Sequence, residues 1–146
     1  MSEERLKRKI TIILATDVFG YSKHIEEDET LTIKTYNDRE VILLNLIKEF
    51  RGRVFNTGGD SVFAEFSSAV DAVECAFTFQ NKIHQINDNP DTNCKLKFRI
   101  GINMGDVVEK GSNLLGDGVN IAARLEAMAQ PNGVCISKSV YDLVAP

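Results

Sequence analysis

The stretch Ile10-Thr11-Ile12-Ile13-Leu14-Ala15 is the strongest fold signal in the chain, because it is apolar at nearly every position rather than at alternate ones. Such a run is typical of a strand whose two faces are both covered by other parts of the chain. We therefore predict a central strand here. It leads into a turn, Asp17-Val18-Phe19-Gly20-Tyr21-Ser22, in which a carboxylate stands directly behind the strand.

Downstream of this strand, the pattern predicts a helix and then a hairpin. Arg53–Asn56 and Ser61–Phe66 read as two strands joined by the turn Thr57-Gly58-Gly59-Asp60. Gly52 ends the preceding helix. The apolar residues that share one face of that helix are Ile33, Tyr36, Leu43, Ile47 and Phe50.

The second half begins with a helix start at Ser68 and Asp71. The polar segment 87–93 predicts a loop. Lys95–Asn103 predicts a strand because apolar and polar residues alternate in it, and Gly105 is expected to turn the chain into residues 106–109. The apolar stripe of the helix comprises Ala69, Val73, Ala76, Phe77 and Ile83.

The last third predicts a helix over 117–129, a short strand at Val134–Ile136 and a final helix capped by Ser137. Strands joined mainly by hairpins, with long helices between them, favour an α+β fold. We expect a two-layer sandwich of the ferredoxin-like or palm type, with helices packed on a mostly antiparallel sheet. Residues 1–146 are expected to form a single domain, which can be an excised part of a longer chain.

The composition narrows the class of protein. Hydrophobic residues make up 43% of the chain, as in ordinary globular domains. The net charge of -4 argues against DNA as a partner, because binding the phosphate backbone requires a basic surface. No stretch is long and apolar enough for a membrane segment. The cysteines, Cys75, Cys94 and Cys135, lack metal-ligand spacing and predict reduced thiols, and hence a cytoplasmic protein.

Two carboxylates are candidate metal ligands. Asp17 follows the central strand and Asp60 lies in the hairpin turn, so both can meet at one end of the sheet. Mg²⁺ prefers a few such oxygen ligands, with phosphates and water completing its shell. Each aspartate, taken singly, is more simply explained as a residue that satisfies a turn.

Three further features suit a phosphate-bearing ligand. The turn Phe19-Gly20-Tyr21-Ser22 can present backbone amides to an anion, although no Walker sequence is present. Asn120 and Arg124 lie one helical turn apart and share a face, where an arginine can stabilise a transferring phosphoryl group. Arg99 can be a phosphate ligand as well. The simpler alternative is that Asn120, Arg124 and Arg99 are ordinary solvent-exposed surface residues.

Together these segments resemble the catalytic domains of class III adenylate and guanylate cyclases. The resemblance covers Lys9 to Val144 and is specific because four motifs occur in the family's order. They are Leu14–Ser22, Asn56–Ser61, Arg99–Val107 and Gly116–Arg124.

The resemblance implies a nucleotide cyclase that uses two Mg²⁺ or Mn²⁺ ions per site. Asp17 and Asp60 would hold these ions with help from the Val18 carbonyl. Asn120 would position the ribose, and Arg124 would stabilise the transition state. A head-to-tail homodimer with its sites at the interface is also implied. The implied substrate-binding residues are Phe19, Gly20, Tyr21, Ser22, Asn56, Arg99 and Asn113.

Base recognition departs from the family's adenylate cyclase pattern. Asn56 stands where a base-reading Lys is common, and Asn113 stands where an Asp or Thr is common. We expect ATP to be the substrate, with GTP or a pyrimidine triphosphate as alternatives. A weakly active or inactive nucleotide-binding regulatory domain is the alternative from another class. A diguanylate cyclase fits less well, because Ser61-Val62 follows Gly58-Gly59-Asp60 where such enzymes use Glu-Phe.

Overall fold

The computed structural model describes residues 6–146, which form a sheet of six strands and five helices. In chain order the elements are β1 (Lys7–Val18), α1 (Tyr21–Glu27), α2 (Glu29–Glu49), β2 (Arg53–Gly58), β3 (Ser61–Phe66), α3 (Ala69–Asp88), β4 (Phe98–Lys110), β5 (Asn113–Leu115), α4 (Asp117–Met128), β6 (Val134–Ile136) and α5 (Lys138–Val144).

The sheet has the strand order β2-β3-β1-β4-β5, with every neighbouring pair antiparallel. Only β6 runs parallel, alongside β4 at Ile100–Ile102. The predicted α+β fold with a mostly antiparallel sheet is therefore confirmed. β1 is central because it pairs with β4 along all twelve of its residues and with β3 on its other side.

Both faces of β1 are buried, as its apolar run predicts. Ile12 and Leu14 belong to the larger core, which includes Phe66 and Phe79 and lies on the side of α2 and α3. Ile13 and Ala15 belong to a second cluster with Ala122 of α4 and several other apolar residues. Since successive strand residues point to opposite faces, α4 packs on the face of the sheet opposite to α2 and α3.

For the predicted strand Lys95–Asn103, the alternation is correct, since its apolar residues are buried, but the predicted bounds are wrong. β4 begins at Phe98 and continues straight through Gly105 to Lys110. The expected turn at Gly105 does not form, because Gly105 pairs with Thr11 in the long ladder to β1. A glycine is needed there for close packing instead, since a Cβ would lie 2.8 Å from the Cα of Gly118.

The predicted first helix divides into α1 and α2 at Asp28, whose side chain accepts the Leu31 amide and caps α2. Ile33 was expected on the buried face but is 44% exposed, because the buried stripe passes through Thr32 and Thr35. Phe77 is likewise 55% exposed, since Ala76 and Phe79 are the residues of α3 that lie in the core. These two assignments were wrong.

The short-range predictions are confirmed. Ser68 caps α3 by accepting the Asp71 amide at 3.2 Å, and Ser137 caps α5 by accepting the Val140 amide at 3.3 Å. The hairpin is tighter than expected, since β2 extends to Gly58 and only residues 59 and 60 lie between the strands. Within residues 6–146, no helix has both the length and the apolar character required to cross a bilayer.

Glu65 on β3 joins three neighbouring chain segments. Its carboxylate accepts hydrogen bonds from Thr11 and Arg53 and lies 2.7 Å from the Lys9 ammonium. Burial alone would raise the pKa of Glu65, but the hydrogen bonds with Lys9, Thr11 and Arg53 outweigh burial and lower it below the ordinary value. Arg53 also donates to the carbonyl of Ser112, so that the β2 edge of the sheet approaches the β4–β5 turn.

Candidate active site

Asp17 and Asp60 meet at one end of the central strand. Asp17 is the second-last residue of β1, and Asp60 lies in the turn between β2 and β3. The Val18 amide donates to Oδ2 of Asp60 at 2.9 Å. This bond fixes the hairpin turn against the end of β1, so the structure brings the two predicted metal ligands together.

The Val18 carbonyl has a suitable direction for the role predicted for it. In an antiparallel ladder, the N–H and C=O of one residue point to the same side of the strand. The N–H of Val18 points to Asp60, and its carbonyl therefore faces the hairpin as well. The Val18 side chain is only 2% exposed and anchors this backbone in the core.

Arg99 holds the carboxylate of Asp17 from the neighbouring strand. The two residues are directly paired between β4 and β1. Nε and Nη2 of Arg99 donate to the two oxygens of Asp17 at 2.9 and 2.6 Å, a bidentate geometry that makes strong ion pairs. The hydrogen bonds with Asp17 raise the pKa of Arg99 above its ordinary value, and its guanidinium lies 5.7 Å from the ring centre of Phe19.

Glu126 is a site residue that the sequence motifs do not predict. It lies on α4, is 7% exposed, and places Oε2 3.6 Å from Nη2 of Arg99. Burial raises the pKa of Glu126 to about 8, helped by a hydrogen bond with Asp17 and by the charge of that carboxylate. The signal in the sequence is its spacing of four and eight residues from Ala122 and Gly118, which places an acid on the buried stripe of the helix.

The turn after β1 offers fewer free amides than predicted. The Phe19 amide donates to the Lys97 carbonyl at 2.7 Å, so it serves the fold and is not open to a ligand. Gly20 has φ of 65° and is the N-cap residue of α1, so the amides of Tyr21 and Ser22 precede the first helical hydrogen bonds. An anion at this turn would therefore meet the amides of residues 20–22.

Asn120 and Arg124 do not join the carboxylates within the chain. The buried stripe of α4 is Gly118, Ala122 and Glu126, and it faces β4, where the Asn103 side chain donates to the Gly118 carbonyl. Asn120 and Arg124 are offset by two residues, which is about 200° around a helix. Both are exposed, as their shared face predicts, and they point away from the sheet.

The two candidate base-reading residues lie on different strands. Asn56 is exposed on β2 at a register shift, and Asn113 is half-buried at the start of β5. Oδ1 of Asn113 accepts the amide of Leu114 at 2.9 Å. One of the two lone pairs of its amide oxygen is therefore engaged, and its NH₂ group and the second lone pair remain for contact with a base.

The donor set at Asp17 and Asp60 fits a divalent cation of the Mg²⁺ or Mn²⁺ type. One oxygen of Asp60 is left after the bond to Val18, and carboxylate and carbonyl oxygens are the ligands that hard cations prefer. Across residues 6–146, no group of three or more His, Cys, Asp and Glu has the arrangement of a closed metal site. Two carboxylates would suffice only if phosphates and water complete the shell.

Comparison with protein families gives one match that spans nearly the whole chain. The model of the adenylate and guanylate cyclase catalytic domain matches residues 4–145. "Putative adenylate cyclase 3" of Rhizobium meliloti (strain 1021) is 41% identical over 145 residues, which are 99% of this chain and 25% of the relative. The chain thus spans about a quarter of that relative's length.

Solved structures with a similar fold agree with this match. The adenylate/guanylate cyclase/hydrolase from Silicibacter pomeroyi has a TM-score of 0.85 and 35% identity, with 94% of this chain and 81% of that chain covered. The guanylyl cyclase Cya2 has a TM-score of 0.86, with 98% and 82% covered. Its identity is 21%, so the likeness to it concerns the fold alone.

Proposed function

The chain belongs to the adenylate and guanylate cyclase catalytic-domain family, and from this we propose that it converts a nucleoside triphosphate, preferably ATP, into the 3′,5′-cyclic nucleotide and pyrophosphate. The observation that carries the proposal is the bond from the Val18 amide to Asp60. It fixes the Asp60 carboxylate against the residue next to Asp17, beside a turn with open amides. That combination suits a triphosphate bound together with divalent cations.

In the proposed reaction the 3′-hydroxyl oxygen of the ribose attacks the α-phosphorus. The new O3′–P bond forms while the bond from the α-phosphorus to the bridging oxygen breaks, and its electron pair leaves with pyrophosphate. The hydroxyl proton is lost to solvent. Two bound Mg²⁺ or Mn²⁺ ions would acidify that hydroxyl and neutralise phosphate charge.

The chain's own residues would orient the substrate and stabilise charge, which is most of the catalysis in phosphoryl transfer. Asp17, Asp60 and the Val18 carbonyl would hold the cations. Arg99 and the amides of residues 20–22 would bind the β- and γ-phosphates. Because Asp17 now accepts both Nε and Nη2 of Arg99, substrate binding would require this arginine to give up at least part of that pair.

The other half of each site would come from a second copy of the chain. Asn120 and Arg124 point away from their own carboxylates, on the opposite side of α4 from its buried stripe. A head-to-tail homodimer would bring Asn120 to the ribose and Arg124 to the developing charge of the partner's substrate. A two-fold arrangement would make two such sites.

For the base we propose adenine, read by Asn56 and Asn113. An amide supplies a donor and an acceptor, which matches the pairing edge of adenine but can flip to serve guanine. Because each amide can serve as donor and acceptor, we expect only modest discrimination between the bases. GTP or a pyrimidine triphosphate would be the alternative substrate.

The test is turnover of ATP, GTP, CTP and UTP by the purified chain with Mn²⁺, with products separated by chromatography. We expect cyclic AMP to be the main product and Asp60→Ala to lower turnover by about 10²-fold or more. A folded wild type that binds nucleotide but releases no cyclic product would refute the enzyme and support a regulatory domain. Near-normal turnover by Asp60→Ala would refute the metal assignment.

The shared site has a separate test. Asp60→Ala and Arg124→Ala should each be inactive alone, whereas a mixture should regain activity, because a mixed dimer contains one intact site. No recovery in a mixture that demonstrably contains heterodimers would refute sites built from two subunits.

A further inference from the structure

The guanidinium of Arg99 joins the end of β1 to the last turn of α4. Nε and Nη2 bind Asp17, and Nη1 donates to the Ala127 carbonyl at 3.1 Å. Nη2 also lies 3.6 Å from the carboxylate of Glu126. Arg99 thus contacts a proposed metal ligand, Asp17, and also two consecutive residues of α4, the helix that packs on this face of the sheet.

Close backbone packing keeps this turn of α4 at a fixed distance from the strand. Gly101 lies two residues after Arg99 on the same face of β4. A Cβ on Gly101 would come within 2.5 Å of the Ala122 carbonyl oxygen and 2.8 Å of the Cα of Glu126. The helix therefore rests directly on the strand, which fixes the backbone of Glu126 close to Arg99.

Burial makes the placement of Glu126 costly unless its partners are present. The side chain of Glu126 is 9% exposed, and that of Arg99 is 21% exposed. A carboxyl group at this depth, charged or protonated, is stable only when polar partners satisfy it. An acid on the outer face of α4 would carry no such cost, so its position on the buried stripe indicates a role with Arg99 and Asp17.

We propose that Glu126 is a positioning residue, which together with the Ala127 carbonyl holds Arg99 beside Asp17, so that the guanidinium stays in place for the phosphates when it gives up part of its pair with Asp17 on binding of the metal–nucleotide complex. The proposal deepens the cyclase function proposed above and rests on it. Glu126 acts in the subunit whose Asp17 binds the cations. It serves that site even though α4 presents Asn120 and Arg124 to the other one.

The first experiment measures binding without turnover. The probe is Mn²⁺ with 3′-deoxy-ATP, which lacks the attacking hydroxyl, titrated calorimetrically. Glu126→Ala should weaken binding by about 10–100-fold, the range for losing a partner that orients a metal ligand. Glu126→Gln keeps an acceptor for Arg99 and should recover most of the affinity. Unchanged affinity in folded Glu126→Ala would overturn the proposal.

A matched control separates positioning from general stability. Glu65→Ala removes another partly buried acid from an ion-pair network on the same sheet, away from the site. It should lower the melting temperature and leave probe affinity and KM unchanged. In addition, the double variant Glu126→Ala/Arg99→Ala should bind the probe only slightly more weakly than Arg99→Ala alone, because both residues act through one guanidinium. Fully additive losses would mean that Glu126 acts independently of Arg99, contrary to the proposal.

Mixed dimers then identify which site Glu126 serves. When one subunit carries Arg124→Ala and its partner carries Asp60→Ala, the single working site uses Asp17 and Arg99 of the first subunit. Glu126→Ala should raise KM when added to the first subunit and have no effect in the second. The reverse pattern would overturn the proposal. A parent mixture without activity would instead refute the shared site, while calorimetry would still decide the role of Glu126.

Discussion

Gly101→Ala should push α4 away from the sheet and destabilise the protein, because the packing leaves no room for a methyl group. A Cβ there would lie 2.5 Å from the Ala122 carbonyl oxygen, against about 3.4 Å for an ordinary contact. The Glu126 amide nitrogen would be closer still, at 2.3 Å, so the helix would have to retreat by about 1.1 Å. The obstacle is helix backbone, so a change of side-chain rotamer cannot relieve it.

Such a retreat loosens a tightly packed interface. A gap of about 0.5–1 Å forfeits roughly a quarter to a half of the dispersion energy across it. Overpacked cores usually lose about 1–3 kcal/mol, and a clash with backbone falls at the upper end, near 3 kcal/mol. For a domain of this size that is a fall in Tm of roughly 6–12 °C. Turnover should fall too, because α4 carries Asn120 and Arg124.

The assay is urea and thermal unfolding followed by circular dichroism, with Gly58→Ala as the control. A methyl group at Gly58 meets no atom within 4 Å, and its φ is not in the positive range. This control should stay within about 0.5 kcal/mol of wild type or gain slightly, as glycine replacements at unstrained positions do. If Gly101→Ala were equally stable, the close approach of α4 to β4 would be wrong.

Three further substitutions or measurements test other parts of the structure. Ser68→Ala should cost about 1 kcal/mol, because the capping bond to the Asp71 amide is lost, and urea unfolding against Ser68→Thr measures it. The lowered pKa of Glu65 gives stability that is complete above its unfolded value of 4.5 and is lost as the pH falls through the folded value. The stability gap between wild type and Glu65→Gln should therefore shrink in acid unfolding curves, and a gap independent of pH would contradict this. Burial raises the pKa of the Cys75 thiol to about 12, so Cys75 should react with a thiol reagent far more slowly than the partly exposed Cys135, as mass spectrometry of partly labelled protein can check.

The sequence was a good guide wherever one element carries its own signal. The apolar run of β1 predicted a strand buried on both faces, and it lies between two core clusters. Ser68 and Ser137 were predicted as caps, and both accept the expected amides. These features depend on residues within a few positions of one another, so local pattern is sufficient to predict them.

The sequence was a poorer guide where the role of a residue depends on a partner that is distant in the chain. Gly105 looks like a turn, yet it continues β4 because its neighbours are Thr11 on β1 and Gly118 on α4. Phe77 looks like a core residue, but α3 meets the sheet through Ala76 and Phe79. A glycine can allow a turn or a close approach, and only the packing decides which one occurs.

The same reasoning explains why the candidate site was predicted in part. Asp17, Asp60 and Arg99 stand in recognisable motifs, whereas Glu126 reads as one more charge on a helix. The role of Glu126 depends on two contacts between residues distant in sequence. Arg99 pairs with Asp17 between β4 and β1, and Gly101 lets α4 lie directly on β4. Once the register is known, the buried stripe of α4 places this acid beside the guanidinium without further assumption. The side of α4 that packs on the sheet also determines the side that Asn120 and Arg124 present outward. The position of Glu126 and our proposal of a second subunit therefore rest on the same helix orientation.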